Sequence, residues 1–289
     1  MKDSKIIDFF KNIFRVKVFW FTGFLAGWNG SRKLNKWVKK NKKQQDPNLH
    51  PFEERVQYHR KKMRGIIKRA GIKVEVEGEE NLPRGGGAWI VPNHTSNFDG
   101  VILSVAISNK LNLVPIAKEE LKTSKLTSGY FNGVDGMFLD RKSPRKALAL
   151  LEGAAQYAKQ KNRAVVIFPE GERSLTGELL EFKNGLFRFP QKYFLPIVPI
   201  TILGTLEARK VFSLRTRTVK VIINKTIKPI NHSKLPTELI GRRIKEQMQK
   251  DIDNWTSKLS PKELKRHQKI VEKSKIKMMK RKIRQEKSK

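Results

Sequence analysis

The chain contains, at residues 88–103, the stretch AWIVPNHTSNFDGVIL. Its first four residues form a short apolar run suited to a buried strand, the middle is polar, and the apolar character returns with VIL at residues 101–103. This order predicts a strand, then a turn, then a helix. In α/β sheets, the loops at the ends of such strands are where ligands usually bind.

Apolar runs and helical patterns alternate on both sides of this stretch. A helix is expected over residues 51–70, since Gly71 is a C-terminal stop, and another from Ser143-Pro144 to about residue 161. Strands are expected at residues 72–76, 88–91, 113–117, 164–168, 197–203 and 219–223, followed by a polar helix over 237–259. The alternation predicts an α/β fold with a mixed, largely parallel central sheet flanked by helices.

The composition indicates an anionic partner. The 289 residues include 62 Lys and Arg against 27 Asp and Glu, a formal net charge of +35. Such an excess attracts nucleic acid, anionic lipid headgroups or an acidic protein, and does not choose among them. The chain has no cysteine, which excludes a disulfide framework, a zinc–cysteine site and a thiol nucleophile.

The N-terminal segment has the character of a membrane-interface helix. Residues 6–28 are rich in aromatic and apolar side chains, but Asp8, Lys11 and Arg15 interrupt them before a spanning length is reached, and no secretory cleavage site follows. A helix over residues 9–24 lying among lipid headgroups suits this composition better than a transmembrane helix. An amphipathic helix docked on the protein's own core is the alternative.

Three regions follow from these patterns. Residues 1–50 are expected to form the interfacial helical segment and a basic linker (33–43), residues 51–259 the main domain, and residues 260–289 a basic tail. The tail carries ten of the net positive charges and is expected to be helical or disordered. It is either a solvated extension or an electrostatic attachment to anionic lipid.

The polar turn after the first buried strand contains His94 and Asp99. In one continuous helix, residues five apart point about 140° away from each other. If His94 lies in the loop and Asp99 in the first helical turn, the carboxylate can fold back onto the imidazole. An imidazole held in this way can take a proton from an alcohol that attacks an acyl carbon.

A second polar stretch, FPEGERS at residues 168–174, also follows an apolar strand. Gly171 lets the backbone approach a ligand, and Arg173 offers a planar fork that matches phosphate. Two weaker features accompany it: GMFLDR at residues 136–141 ends in Arg141, and LPIVPI at 195–200 is a proline-stiffened apolar strand. Arg141 by itself would equally suit a surface ion pair.

Together and in this order, the four segments resemble the four motifs of the glycerolipid acyltransferases, specifically the 1-acyl-sn-glycerol-3-phosphate acyltransferase family. NHTSNFD at residues 93–99 is similar to the catalytic motif, and FPEGERS to the phosphate-binding motif, with Glu172 in place of the usual Thr. KEEL at 118–121 and FKNG at 182–185 also resemble family stretches. The resemblance covers roughly residues 72–225.

The resemblance implies transfer of a fatty acyl group from acyl-CoA or acyl-carrier protein to the 2-hydroxyl of lysophosphatidate, with no metal and no bound cofactor. It implies His94 as general base and Asp99 as its orienting partner. It further implies a substrate-binding set of Arg141 and Arg173 as phosphate ligands, Glu170 and Gly171 as residues that shape the pocket, and Lys118 as another nearby cation.

The implied partners are membrane lipids, namely lysophosphatidate and anionic phospholipids, with acyl-carrier protein as a further candidate. The location that fits is the cytoplasmic face of the cell membrane, in peripheral or monotopic attachment. Glycerol 3-phosphate and other lysophospholipids remain alternative acceptors. A basic nucleic-acid-binding protein is the alternative from another class, although the chain shows no recognised nucleic-acid motif and no nucleic acid is expected as a partner.

Overall fold

The computed structural model describes residues 25, 27–85, 87–208 and 217–286. The interfacial helix expected over residues 9–24 lies outside this part of the chain. Within the described ranges, no helix combines the length and the apolar character that are needed to cross a membrane.

A seven-stranded sheet forms the centre of the described part of the chain. Its strands are β1 (Ile72–Glu77), β2 (Ala88–Pro92), β3 (Leu113–Lys118), β4 (Met137–Leu139), β5 (Ala164–Val166), β6 (Ile197–Leu203) and β7 (Arg217–Ile223). They lie side by side in the order β1-β7-β6-β2-β5-β3-β4, and every neighbouring pair is parallel except β6 and β7. The expected mixed, largely parallel sheet is confirmed.

Helices cover both faces of the sheet, as expected. The first, α1, covers residues 27–44, and the others are α2 (Phe52–Arg69), α3 (Asp99–Ala106), α4 (Ser128–Asn132), α5 (Pro144–Lys161), α6 (Arg188–Lys192), α7 (Thr205–Ala208), α8 (Thr237–Ser257) and α9 (Pro261–Glu286). On one face, Ile67 of α2 and Ile102 of α3 join an apolar cluster. On the other, Leu151 of α5 and Ile244 of α8 join a second.

Two central strands are buried on both faces. All five residues of β2 and all seven of β6 are buried, which explains why both strands are apolar in the sequence apart from Thr201, whose hydroxyl donates to Oδ2 of Asp251 at 2.5 Å. Because successive side chains of a strand point to opposite faces, Trp89 packs with α5 and Ile90 with α3. The stretch at residues 88–103 therefore joins both cores.

Local sequence patterns predicted the start of α5 correctly but not the end of β5. Ser143 caps α5, with its hydroxyl oxygen accepting from the backbone N of Lys146 at 3.5 Å. In contrast, β5 ends at Val166, two residues earlier than expected. The backbone N of Ile167 still donates to the carbonyl oxygen of Ile90 at 3.0 Å, but the chain then turns, and the carbonyl oxygen of Phe168 accepts from the backbone N of Gly171 at 3.1 Å.

The basic segment at residues 33–43, expected as a linker, lies within α1. Leu34 on this helix is fully buried, and the hydroxyl oxygen of Ser31 accepts a hydrogen bond from the backbone N of Gly129 at 3.0 Å. A Cβ at position 129 would lie 1.8 Å from the Ser31 carbonyl oxygen, so α1 and α4 approach this closely only because residue 129 is Gly. The lysines of the segment are all exposed.

The basic tail is helical as α9, one of its two expected states. Nδ1 of His267 pairs with the carboxylate of Glu207 in α7, and Lys275 pairs with Glu178 at 2.9 Å. The tail therefore rests on α7 and on the loop that follows β5.

Candidate functional site

Four strands bring the predicted site residues to one edge of the sheet. The strands β2, β5, β3 and β4 are neighbours and run parallel, so their carboxyl ends share that edge. His94 follows β2, Lys118 ends β3, Arg141 follows β4, and Glu170 follows β5. This is the edge at which open α/β sheets bind ligands.

The turn that carries His94 is anchored on both sides. Asn93 is buried and bonds twice to β6: its Nδ2 donates to the carbonyl oxygen of Ile202 at 3.1 Å, and its Oδ1 accepts from the Ile202 backbone N at 2.7 Å. On the far side, α3 begins at Asp99, whose backbone N donates to the carbonyl oxygen of Ser96 at 3.2 Å. His94 is thus held between a central strand and a helix.

Asp99 folds back onto His94. Its Oδ2 lies 2.8 Å from Nδ1 of His94 and also accepts from the backbone N atoms of Thr95 and Ser96, at 2.7 and 2.8 Å. Asp99 is fully buried, and its Oδ1 has no hydrogen-bond partner in the described part of the chain. Because a carboxylate only accepts, Nδ1 carries the proton in the neutral ring, which leaves the Nε2 lone pair as a proton acceptor.

The loop after β5 holds His94 from the other side. The Phe168 ring stacks on the imidazole, with 4.0 Å between ring centroids and 25° between planes. The carbonyl oxygen of His94 accepts from the backbone N of Ser174 at 2.7 Å, and its backbone N donates to Oε1 of Glu170 at 2.6 Å. The ring and the backbone of His94 are therefore both restrained by this loop.

Glu170 lies behind the site and not in it. It is 3% exposed, and its Oε2 accepts from the backbone N of Leu180 at 2.9 Å while Oε1 accepts from His94. Burial raises the pKa of Glu170 to about 7, against the effect of these two N–H donors, and the Asp99 carboxylate raises it further. Glu170 shapes the site by joining the two polar loops, without lining the cavity.

A cavity of about 660 Å³ opens beside His94. Four residues of the expected substrate-binding set line it, namely Lys118, Arg141, Gly171 and Arg173. The three cations are exposed, and none of them forms an ion pair with a carboxylate of the described residues. These three cations are therefore available to bind a phosphate group.

Other polar residues of the cavity were not predicted as ligands. Lys183 lines it as a fourth exposed cation, and its backbone N donates to the carbonyl oxygen of Pro169 at 2.8 Å. Its only signal in the sequence was its position in FKNG at residues 182–185. Two exposed carboxylates, Glu120 and Glu172, line the cavity as well, so a phosphate there would meet both signs of charge.

The remainder of the cavity is largely apolar and follows β3. Leu113, Pro115 and Ile116 of that strand line it, together with Phe131 and Leu139. The 6 residues of β3 span about 17 Å at the usual rise of a strand. The cavity can therefore hold a charged group near His94 and a long apolar chain beyond it.

Comparisons with known proteins show which proteins this chain is similar to. A family model described as "Acyltransferase" matches residues 73–203. A probable 1-acyl-sn-glycerol-3-phosphate acyltransferase of Mycoplasma pneumoniae is 33% identical over 186 residues, which is 60% of this chain and 69% of that protein. The 1-acyl-sn-glycerol-3-phosphate acyltransferase of Saccharomyces cerevisiae is 34% identical over 188 residues, 62% of this chain and 59% of that protein.

The fold is similar to that of a solved structure. The crystal structure of the 1-acyl-sn-glycerophosphate acyltransferase PlsC from Thermotoga maritima superposes with a TM-score of 0.66 and 21% sequence identity. The match covers 87% of this chain and 98% of that one.

Proposed function

The chain belongs to the 1-acyl-sn-glycerol-3-phosphate acyltransferase family of glycerolipid acyltransferases, and we propose on this ground that it esterifies the 2-hydroxyl of lysophosphatidate. The acyl group comes from an acyl thioester, and the product is phosphatidate. The reaction is a step of phospholipid biosynthesis.

One observation carries the mechanism. Nδ1 of His94 lies 2.8 Å from Oδ2 of a fully buried Asp99, and the imidazole borders a cavity with cations near it and apolar walls beyond. A base, a phosphate-binding group and a chain-binding wall thus lie in one cavity. These are the parts that acylation of a phosphorylated alcohol needs.

The reaction proceeds by direct attack of the acceptor alcohol. Nε2 of His94 takes the proton from the 2-hydroxyl as its oxygen attacks the thioester carbonyl carbon, and Asp99 stabilises the imidazolium that forms. The tetrahedral intermediate then collapses, the C–S bond breaks, and the departing thiolate takes the proton back from Nε2. No nucleophile of the protein is acylated in this sequence of steps.

The cavity positions the acceptor by its two ends. Lys118, Arg141, Arg173 and Lys183 are the cations available to the phosphate of lysophosphatidate, and the fork of a guanidinium suits two phosphate oxygens at once. The apolar part along β3 suits a fatty chain. Glycerol 3-phosphate would use the same base and cations but leave that apolar part empty.

The acyl donor is an acyl-CoA or an acyl-carrier protein. Both present the same thioester to His94, and the high positive charge of the chain suits the phosphates of one and the acidic surface of the other. Since the acceptor and the product are lipids, we propose peripheral or monotopic attachment to the cytoplasmic face of the cell membrane, with anionic phospholipids as further partners.

An acyl-transfer assay with His94→Ala tests this proposal. Purified full-length protein in micelles is given each donor with lysophosphatidate or glycerol 3-phosphate, and phosphatidate or lysophosphatidate formation is followed by mass spectrometry. We expect activity of the wild type with lysophosphatidate and loss of turnover by about 10² to 10⁴-fold in the variant, because the proton acceptor is gone.

His50→Ala is the matched control. His50 also contacts a carboxylate, Glu54, with 3.1 Å between Nδ1 and Oε2, but it does not line the cavity. We expect this variant to turn over normally. Near-normal turnover of folded His94→Ala would contradict the mechanism, and wild-type inactivity with both acceptors would contradict the proposed reaction.

A further inference from the structure

A second, smaller recess lies on the outer side of α2, away from the cations near His94. Its volume is about 400 Å³, and its lining consists of Gln57, Arg60, Lys61 and Arg64 of α2 and Asn109 beyond the end of α3. The four α2 residues follow the spacing i, i+3, i+4, i+7, so they share one helix face. No carboxylate from the described ranges of the chain lines this recess.

The cations of the recess have neutral partners or none. Nη2 of Arg60 donates to Oδ1 of Asn112 at 3.1 Å, and Nη2 of Arg64 donates to Oδ1 of Asn109 at 2.8 Å. Neither arginine, nor Lys61, forms an ion pair with a carboxylate in the described part of the chain. Nε of Arg60 is buried without a hydrogen-bond partner among the same residues.

This clustering opposes the stability of the helix unless an anion is present. Like charges four residues apart on a helix repel each other, and burial together with the nearby Arg64 guanidinium lowers the pKa of Arg60. The amide oxygens of Asn109 and Asn112 orient the two forks without neutralising them. Planar guanidinium groups held in this way match the paired oxygens of a phosphate.

We infer that the recess formed by Gln57, Arg60, Lys61, Arg64 and Asn109 is a second phosphate-binding site. Its ligand is a phosphate-bearing anion that accepts hydrogen bonds from both guanidinium groups and is held by the Lys61 ammonium. The recess is distinct from the group of cations that lines the cavity near His94. Arg60 bonds to Asn112, which precedes the first residue of β3, whereas Lys118 is the last residue of β3, and that strand is about 17 Å long.

The recess communicates with the catalytic cavity through Arg60, which lines both. An anion in the recess would hold the Arg60 side chain and so fix the far wall of the cavity. The phosphate can belong to an anionic lipid headgroup or to a phosphate compound in solution. Both present the same oxygens to the arginine forks.

Phosphate binding to full-length protein tests the inference. The probe is radiolabelled inorganic phosphate, measured by equilibrium binding at low salt in uncharged detergent micelles. We expect the double variant Lys61→Gln/Arg64→Gln to bind about one phosphate fewer per chain than the wild type. The matched control is Lys262→Gln/Lys265→Gln, which removes the same charge at the same helical spacing from exposed positions of α9.

The single variant Arg64→Lys distinguishes the contribution of the planar guanidinium group to phosphate binding from the contribution of the positive charge. It keeps the positive charge and the helix, and we expect it to weaken the same binding event about tenfold, since a charge-assisted hydrogen bond is lost. Circular dichroism checks that each variant is folded. Wild-type phosphate binding by the Lys61→Gln/Arg64→Gln protein, or an equal loss in the α9 control, would overturn the inference.

Vesicle binding then identifies the source of the phosphate. Vesicles of phosphatidylcholine with and without phosphatidate are co-sedimented with the wild type and both double variants. If the lipid headgroup fills the recess, Lys61→Gln/Arg64→Gln loses more phosphatidate-dependent binding than the α9 control. If the two double variants lose binding equally, the recess takes its phosphate from solution.

Discussion

Asp99→Asn should slow the enzyme while leaving the orientation of His94 intact. Oδ2 of Asp99 accepts all of its hydrogen bonds, from Nδ1 of His94 and from the backbone N atoms of Thr95 and Ser96, whereas Oδ1 has no partner in the described part of the chain. An asparagine can place its carbonyl oxygen where Oδ2 lies and its amide group where Oδ1 lies. The hydrogen-bond pattern then survives, and only the negative charge is lost.

The expected loss of turnover follows from that difference. A hydrogen bond to a charged group is worth about 1.5–3 kcal/mol and a neutral one about 0.5–1.5 kcal/mol. The imidazolium that forms in the reaction therefore loses about 1–1.5 kcal/mol of stabilisation, which corresponds to a decrease in kcat of about 5- to 13-fold. The uncompensated amide N–H in the buried position of Oδ1 should also lower the free energy of unfolding by about 1–3 kcal/mol.

Initial rates at saturating donor and lysophosphatidate measure this effect, with His94→Ala assayed alongside. Circular dichroism and thermal unfolding establish that both variants are folded. If Asp99→Asn were to turn its amide group toward His94, Nδ1 would have to accept, Nε2 would carry the proton, and the loss would be about 10⁴-fold. A loss of that size in folded Asp99→Asn would refute the inferred placement of the amide.

Three further outcomes test other parts of the molecule. The pKa of Glu170 is raised from 4.5 to about 7, so its contribution to stability is fully present below about pH 4.5 and is lost as the pH rises through 7. Relative to Glu170→Gln, the wild-type free energy of unfolding should fall by about 3 kcal/mol over that range, and a pH-independent difference would contradict this. Arg173→Lys should raise the KM for lysophosphatidate about tenfold with little change in the KM for the donor, and the reverse pattern would assign Arg173 to the thioester. Deleting residues 1–24 should abolish the vesicle binding that resists high salt, whereas deleting residues 260–289 should weaken vesicle binding only at low salt. If high salt releases the full-length protein from vesicles and the protein binds duplex DNA tightly, the nucleic-acid alternative is favoured.

Much of the fold could be predicted from the sequence, because the local pattern of apolar and polar residues depends on local geometry and burial. The runs at residues 88–91 and 197–203 are strands buried on both faces, and such burial favours the apolar side chains that both runs show, with Thr201 as the polar exception. The helix over 144–161 shows its cap in the sequence. The turn at 93–99 was also readable, since polar residues between an apolar strand and an apolar helix have few other conformations.

The candidate site was partly readable for the same reason. The spacing of His94 and Asp99 excludes a common helix face and favours a loop followed by a helical turn, which is the arrangement in the structure. The local pattern does not show that Glu170 reaches the backbone N of His94 from 76 positions away, or that Lys183 lines the same cavity. These contacts depend on the order of β2 and β5 in the sheet.

The sequence by itself determined the type of most elements, the buried strands and the residues capable of the chemistry, because each depends on neighbours along the chain. Only the tertiary structure decided that β7 runs antiparallel to β6, that the basic segment at 33–43 packs as a helix on Gly129, and that Arg60 joins two cavities. Such features come from contacts between residues far apart in the chain. Side-chain periodicity reports which face of an element is buried, but it does not report which other element covers that face.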